Sequence, residues 1–205
     1  MQNKWAEENL YVIRTLMERS AIYRRALAPV MLMAGSIGAI AALMGWKLEL
    51  DAKLFFVAYW LGVGLVVMCA AYFLMRRQAL QAGESFWSAP TKRITQAILP
   101  AFVAGLILGV IMMETSLGNL IPALTWVLAY GCGIHAAGFF MPRGMRLFGW
   151  IFILGGGAFP ACVCACRYQL PPYSPHFVMG FFFGGLHLAY GVYLFFTEKK
   201  SPVPR

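Results

Sequence analysis

The side chains of this sequence that are able to do chemistry are few, and they sit inside apolar runs. Two histidines occur in "GIHAAG" (133–138) and "GLHLAYG" (185–191), and three cysteines in "CVCACR" (162–167). Polar groups in hydrocarbon are costly and mark sites by default. His135 and His187 each follow a glycine by two residues, which leaves room for a flat cofactor or for a neighbouring backbone. They are the candidate cofactor ligands, and the cofactor such a pair suits is haem. Counted inward from the basic flanks, His135 lies about eight residues deep and His187 about twelve, a depth difference of roughly 6 Å at ~1.5 Å per residue. The competing reading is two neutral histidines hydrogen-bonded within a bundle, which needs no cofactor and is preferred here.

The cysteines suggest a metal until helical geometry is applied. Cys162 and Cys166 share a face at i, i+4, whereas Cys164 points away. Together with His176, and with Glu114 on the same membrane side, Cys162 and Cys166 are candidates for a soft-metal or redox site. The C-x₂-C pairs of structural zinc are absent. Cysteine also packs as a small apolar residue, and the twelve methionines are scattered as core filling would scatter them. No cofactor is expected, with haem or a soft metal as the alternatives. No G-x-S-x-G, P-loop, H-E-x-x-H or intramembrane acid pair occurs, so the expectation is a protein without enzymatic activity.

The elements that must position these residues are membrane spans. The chain is 60% hydrophobic and only 12% charged, about half the charge of a soluble domain, and its mean hydropathy is +0.68. Six runs long enough to cross a bilayer can be drawn: Leu27–Trp46, Leu54–Met75, Ala97–Met113, Leu120–Met141, Leu147–Cys166 and His176–Phe196. None contains Asp, Glu, Lys or Arg. The expected fold is all-α: an integral membrane bundle of six transmembrane helices in three hairpins, preceded by a cytoplasmic amphipathic helix. Residues 1–26 would be that helix, 27–197 the membrane domain and 198–205 a cytoplasmic tail. The first run follows 26 residues of charged chain and lacks an A-x-A cleavage pattern, so no cleavable signal peptide is expected.

Charge distribution sets the expected orientation. With the N-terminus inside, the inner side holds Lys4, Arg14, Arg19, Arg24, Arg25, Arg76, Arg77, Lys92, Arg93, Arg143, Arg146, Lys199, Lys200 and Arg205. The outer side holds only Lys47, Lys53 and Arg167. Such a bias predicts a multi-pass protein of a bacterial inner membrane with both termini cytoplasmic. The net charge of +9 is then a topology signal with anionic lipid as counter-charge, not a nucleic-acid footprint. All five cysteines lie within apolar runs and form no secreted disulfide framework.

A weak internal repeat aligns "ALAPVMLMAGSIG" (26–38) with "AILPAFVAGLILG" (97–109), matching Pro29 to Pro100 and Gly38 to Gly109. Both prolines are expected in the first turn of their spans, where a missing N–H does least damage. Small residues recur at packing spacing in Ala34, Gly38 and Ala42, in Gly105 and Gly109, in Gly133 and Ala137, and in Gly180 and Gly184. Such rows let helix backbones approach. Tight packing within one bundle is preferred over a homo-oligomer face. No span carries the row of polar residues that lines an aqueous pore.

The segment "EENLYVIRTLMERS" (7–20) is unlike the rest. On a helical wheel Leu10, Ile13, Met17 and Ala21 fall on one face, and Glu7, Tyr11, Arg14, Glu18 and Arg25 on the other. A stripe of this kind needs burial in the lipid interface, on its own bundle or on a partner. Its acids Glu7, Glu8 and Glu18 disfavour simple adsorption to anionic lipid. As a partner contact, Leu10, Ile13 and Met17 would supply apolar anchors, with Arg14, Glu18 and Arg19 setting orientation.

The motif "ENLYVIRTLMERS" resembles the start of an uncharacterised family of bacterial multi-pass membrane proteins whose N-termini read E-N-L-x-x-I-R-x-x-M-E-R. The resemblance extends loosely through "PAFVAG" (100–105), "LAYGCGIHAAGFF" (128–140) and "RLFGWIFILGGGAFP" (146–160). After the motif this chain has "AIYRRALAPV" where that family has a Gly- and Trp-containing segment. The resemblance implies no activity; genomic proximity of such proteins to small winged-helix regulators implies a membrane partner or sensor. The expected function is a scaffold, accessory subunit or regulatory anchor with a cytoplasmic protein partner. The alternatives are a transporter of a small apolar or lipid-like solute and a haem- or metal-carrying redox subunit.

Overall fold

A computed structural model describes residues 27–81, 83, 86–114, 118–165 and 174–198; side chains at 89, 90, 114, 159–165 and 198 are not described. The described residues are helical, with no strand among them. In chain order they form α1 (Leu27–Lys47), α2 (Lys53–Gln81), α3 (Ala89–Ile111) with a 3₁₀ turn at Met112–Glu114, α4 (Leu120–Ala137) and α5 (Arg143–Ala165). A C-terminal rod follows, made of α6 (Pro175–Met179), a π-helical stretch (Gly180–Leu186) and α7 (His187–Glu198). Five of these helices are long and apolar enough to cross a membrane: α1, α2, α3, α4 and the rod. The chain is thus a multi-pass helical membrane protein, and its outward apolar side chains, such as Phe55, Leu65 and Phe73, suit lipid.

Helix ends depart from the apolar runs at several points. α3 begins eight residues before the expected Ala97, with Ser88 at the N-cap and Pro90 in the first turn. Pro100 therefore lies inside α3 and not in its first turn, which corrects that expectation. The proline that opens this helix is Pro90, whose missing N–H is one of the helix-end orphans. α4 stops at Ala137, four residues before the end of its apolar run, and turns at Gly138 to reach Pro142. The turn is held by Gly138 N–H to Ile134 O and Phe140 N–H to Ala137 O, both 2.9 Å. α2 runs on through Arg76 and Arg77 to Gln81, and Gly83 follows it with φ +67°, a left-handed conformation glycine adopts without strain.

α4 is the hub, packed against both α3 and α5. The C-terminal rod lies against α1 at backbone distance. A Cβ on Gly38 would fall 2.6 Å from Phe183 O, and one on Gly184 would fall 2.8 Å from Ala39 N. A Cβ on Gly180 would likewise meet Ala42 Cβ at 2.6 Å. The rows Gly38–Ala42 and Gly180–Gly184 thus pack on each other within one chain. Gly131 and Gly149 do the same between α4 and α5. In lipid, apolar burial does not distinguish neighbour from solvent, so close backbone packing and interhelical hydrogen bonds carry the association.

One end of the bundle gathers the α1–α2 turn, the end of α3, and the starts of α4 and the rod. Asn119 Nδ2 donates to Asp51 O there, and Ser174 Oγ accepts from the backbone N–H of His176. Pro175 occupies the first turn behind that cap. This geometry fixes where His176 falls.

Candidate functional site

His176 stands two residues into the rod and is fully buried, against the ends of α1 and α2. Gly45 makes room for it: a Cβ there would lie 2.3 Å from the ring's Nδ1. The Trp60 indole N–H donates to His176 Nδ1 at 3.1 Å. An indole nitrogen can only donate, so Nδ1 carries no proton and the imidazole is neutral. Nε2 then bears the hydrogen and turns it towards Leu50 O at 3.4 Å, with Asp51 Oδ1 at 3.9 Å. Phe56 and Tyr59 pack on the same ring at 5.0 and 6.0 Å, and Tyr59 donates to Ala41 O at 2.7 Å.

His187 lies half-way down the rod, immediately after the π-helical stretch, and is 3% exposed. Its Nδ1 faces Phe182 O at 3.1 Å, and a carbonyl can only accept, so Nδ1 holds the proton. Nε2 is left to accept from the Tyr130 hydroxyl of α4 at 2.6 Å. Tyr130, Phe148, Phe152 and Phe183 surround the imidazole with centroids 5.1–6.1 Å away. The two buried histidines are therefore opposite tautomers, each fixed by its partners.

His135 differs from both. The end of α4 at Ala137 places it in the last helical turn, not deep in the span, so that expectation is corrected. It is half-buried, its Nδ1 donates to Arg146 O at 3.3 Å, and its ring lies against Phe139 and Trp150. His135 and His187 share no ring neighbour, and both nitrogens of His187 are engaged. The structure does not bring this pair together.

Compared with family models, with curated proteins and with solved structures, the chain matches none. Its function must be read from the geometry.

Of the soft-metal candidates only His176 lies among described side chains; Cys162 and Cys166 lie outside them. Both ring nitrogens of His176 face groups of the chain, and no group of three metal-ligating side chains occurs among the described residues. Cys69 and Cys132 are free and exposed. The partner-contact candidates Leu10, Ile13, Arg14, Met17, Glu18 and Arg19 lie outside the described residues. Sequence reasoning missed Trp60 and Tyr130, which hold the buried histidines. They stand 116 and 57 residues from their partners, and no local pattern marks them. The π-helical stretch was missed as well; its "GFFFGGL" reads as ordinary packing sequence.

Proposed function

We propose that this protein is a non-enzymatic inner-membrane scaffold or regulatory anchor. It has six spans, α5 being the sixth, and it engages a cytoplasmic protein through residues 3–25. The observation that supports this reading is that the two buried histidines of the core serve the bundle itself. His176 and His187 each spend both ring nitrogens on Trp60, Leu50, Tyr130 and Phe182, tying distant elements together. Nucleophile, base and ligand roles all need a free nitrogen, and these have none. α5, at 23 residues, is as long as a span requires. The excess of Lys and Arg at the ends of α2, α3 and α5 supports cytoplasmic termini. The resemblance at "ENLYVIRTLMERS" points to the same class of bacterial protein.

The test is to purify tagged protein in mild detergent beside a Leu10→Asp, Ile13→Asp, Met17→Asp variant. A partner at a fixed ratio, lost from the variant while membrane insertion is unchanged, supports the anchor. Capture that survives the three substitutions sinks it. A carrier of a small apolar solute is the second reading, favoured by the π-helical stretch at mid-rod, since π-bulges recur at functional sites.

A further inference from the structure

Helix α2 is longer than a bilayer needs. Its 29 residues span about 44 Å against a hydrocarbon thickness of ~30 Å. Lys53 opens the helix, and Arg76 lies 23 residues on, about 35 Å along the axis, just past the hydrocarbon edge. At that level Phe73, Arg76, Arg77, Leu80 and Gln81, all on one face of α2, are the described residues that border an open, shallow groove of about 430 Å³. Phe73 is 64% exposed and lies one turn deeper than Arg77. Both arginines are exposed, and among the described residues neither has a carboxylate partner. Beside them, Tyr72 packs edge-on to Phe86 at 5.0 Å and Phe86 stacks on Trp87, a cluster suited to the headgroup zone.

From this placement we infer that the groove at the end of α2 is a binding site for one anionic phospholipid, whose phosphate sits between Arg76 and Arg77 and whose first acyl carbons lie along Phe73. Guanidinium groups match phosphate geometry through paired N–H donors, and an aromatic ring just below them suits the start of an acyl chain. Charge complementarity selects an anionic over a zwitterionic lipid, because two cations face the groove and, among the described residues, no acid lines it or pairs with them. The inference rests on α2 being a membrane span, which extraction of the protein from vesicles with alkaline carbonate tests separately.

The experiment is native mass spectrometry of the full chain in mild detergent, titrated with phosphatidylglycerol, phosphatidylcholine or inorganic phosphate. One phosphatidylglycerol should bind saturably and in preference to phosphatidylcholine. The Arg76→Gln, Arg77→Gln variant should bind it about 10–30-fold more weakly. Lys92→Gln, Arg93→Gln removes the same charge at the same end of the bundle and should leave affinity within about twofold. Arg76→Lys, Arg77→Lys keeps the charge, guards against misfolding, and should fall between wild type and the glutamine pair. Equal weakening by both glutamine pairs would mean diffuse surface charge and overturn the inference. So would equal affinity for phosphatidylcholine, or full competition by inorganic phosphate. A gain of lipid only after Glu7, Glu8 and Glu18 are changed to Gln would assign the groove to the chain's own N-terminal segment and overturn it too.

Discussion

Replacing Gly184 by alanine tests whether α1 and the C-terminal rod are held by backbone contact. An ideal Cβ at Gly184 would lie 2.8 Å from Ala39 N and 2.9 Å from Ala39 Cα. Carbon contacts are comfortable from about 3.5 Å, so the two helices must part by roughly 0.6–0.7 Å. A gap of that size forfeits about a quarter to a half of each dispersion contact across the seam. Overpacking of this kind costs about 1–3 kcal/mol. Alanine also raises helix propensity by about 1 kcal/mol, which would mask part of the loss. Gly62→Ala in α2 removes that ambiguity, because nothing lies within 4 Å of its Cβ. The propensity gain is common to both variants, so Gly184→Ala should be the less stable of the two by about 1–3 kcal/mol. Reversible unfolding in mixed micelles, followed by helical circular dichroism, measures the difference. Equal stability, or Gly184→Ala the more stable, would refute close packing of the rod on α1.

Other consequences concern the buried histidines and the orientation. Tyr130→Phe leaves His187 Nε2 without its donor and should cost about 1–2 kcal/mol; in a cycle with His187→Phe the two losses should not add. Trp60→Phe should cost a similar amount by stranding His176 Nδ1. Gly45→Ala should cost at least as much, because its methyl takes the place of the ring. Cysteines placed at Asp51 and at Lys92 should react from opposite sides with a membrane-impermeant maleimide, Asp51→Cys from outside and Lys92→Cys from the cytoplasm.

What the sequence carried was the membrane character, because a span needs about 20 apolar residues and hydrophobicity is a local property. It carried helix ends less well. Hydropathy falls at Lys92, Arg93 and Gln96, but α3 extends back past them to Ala89, with Pro90 in its first turn. The same effect misplaced His135, since the apolar run outlasts α4 by four residues. The glycine rows were legible as packing motifs, yet which row meets which is a tertiary fact: Gly38 finds Phe183 and Gly184 finds Ala39. The histidines were legible as costly residues and their partners were not. A Trp60–His176 bond across 116 residues leaves no trace in spacing, so His176 read as a candidate metal ligand when its nitrogens serve the bundle.

The anchor reading stands or falls on what residue 13 touches. The most direct measurement places a photo-crosslinking amino acid at Ile13 in living cells and resolves the products by mass. The account predicts one dominant adduct with a second, different protein, formed at Ile13 and Met17 and absent when the crosslinker is at Tyr11 on the opposite face. Crosslinks that run only within the chain, or only to lipid, would contradict it.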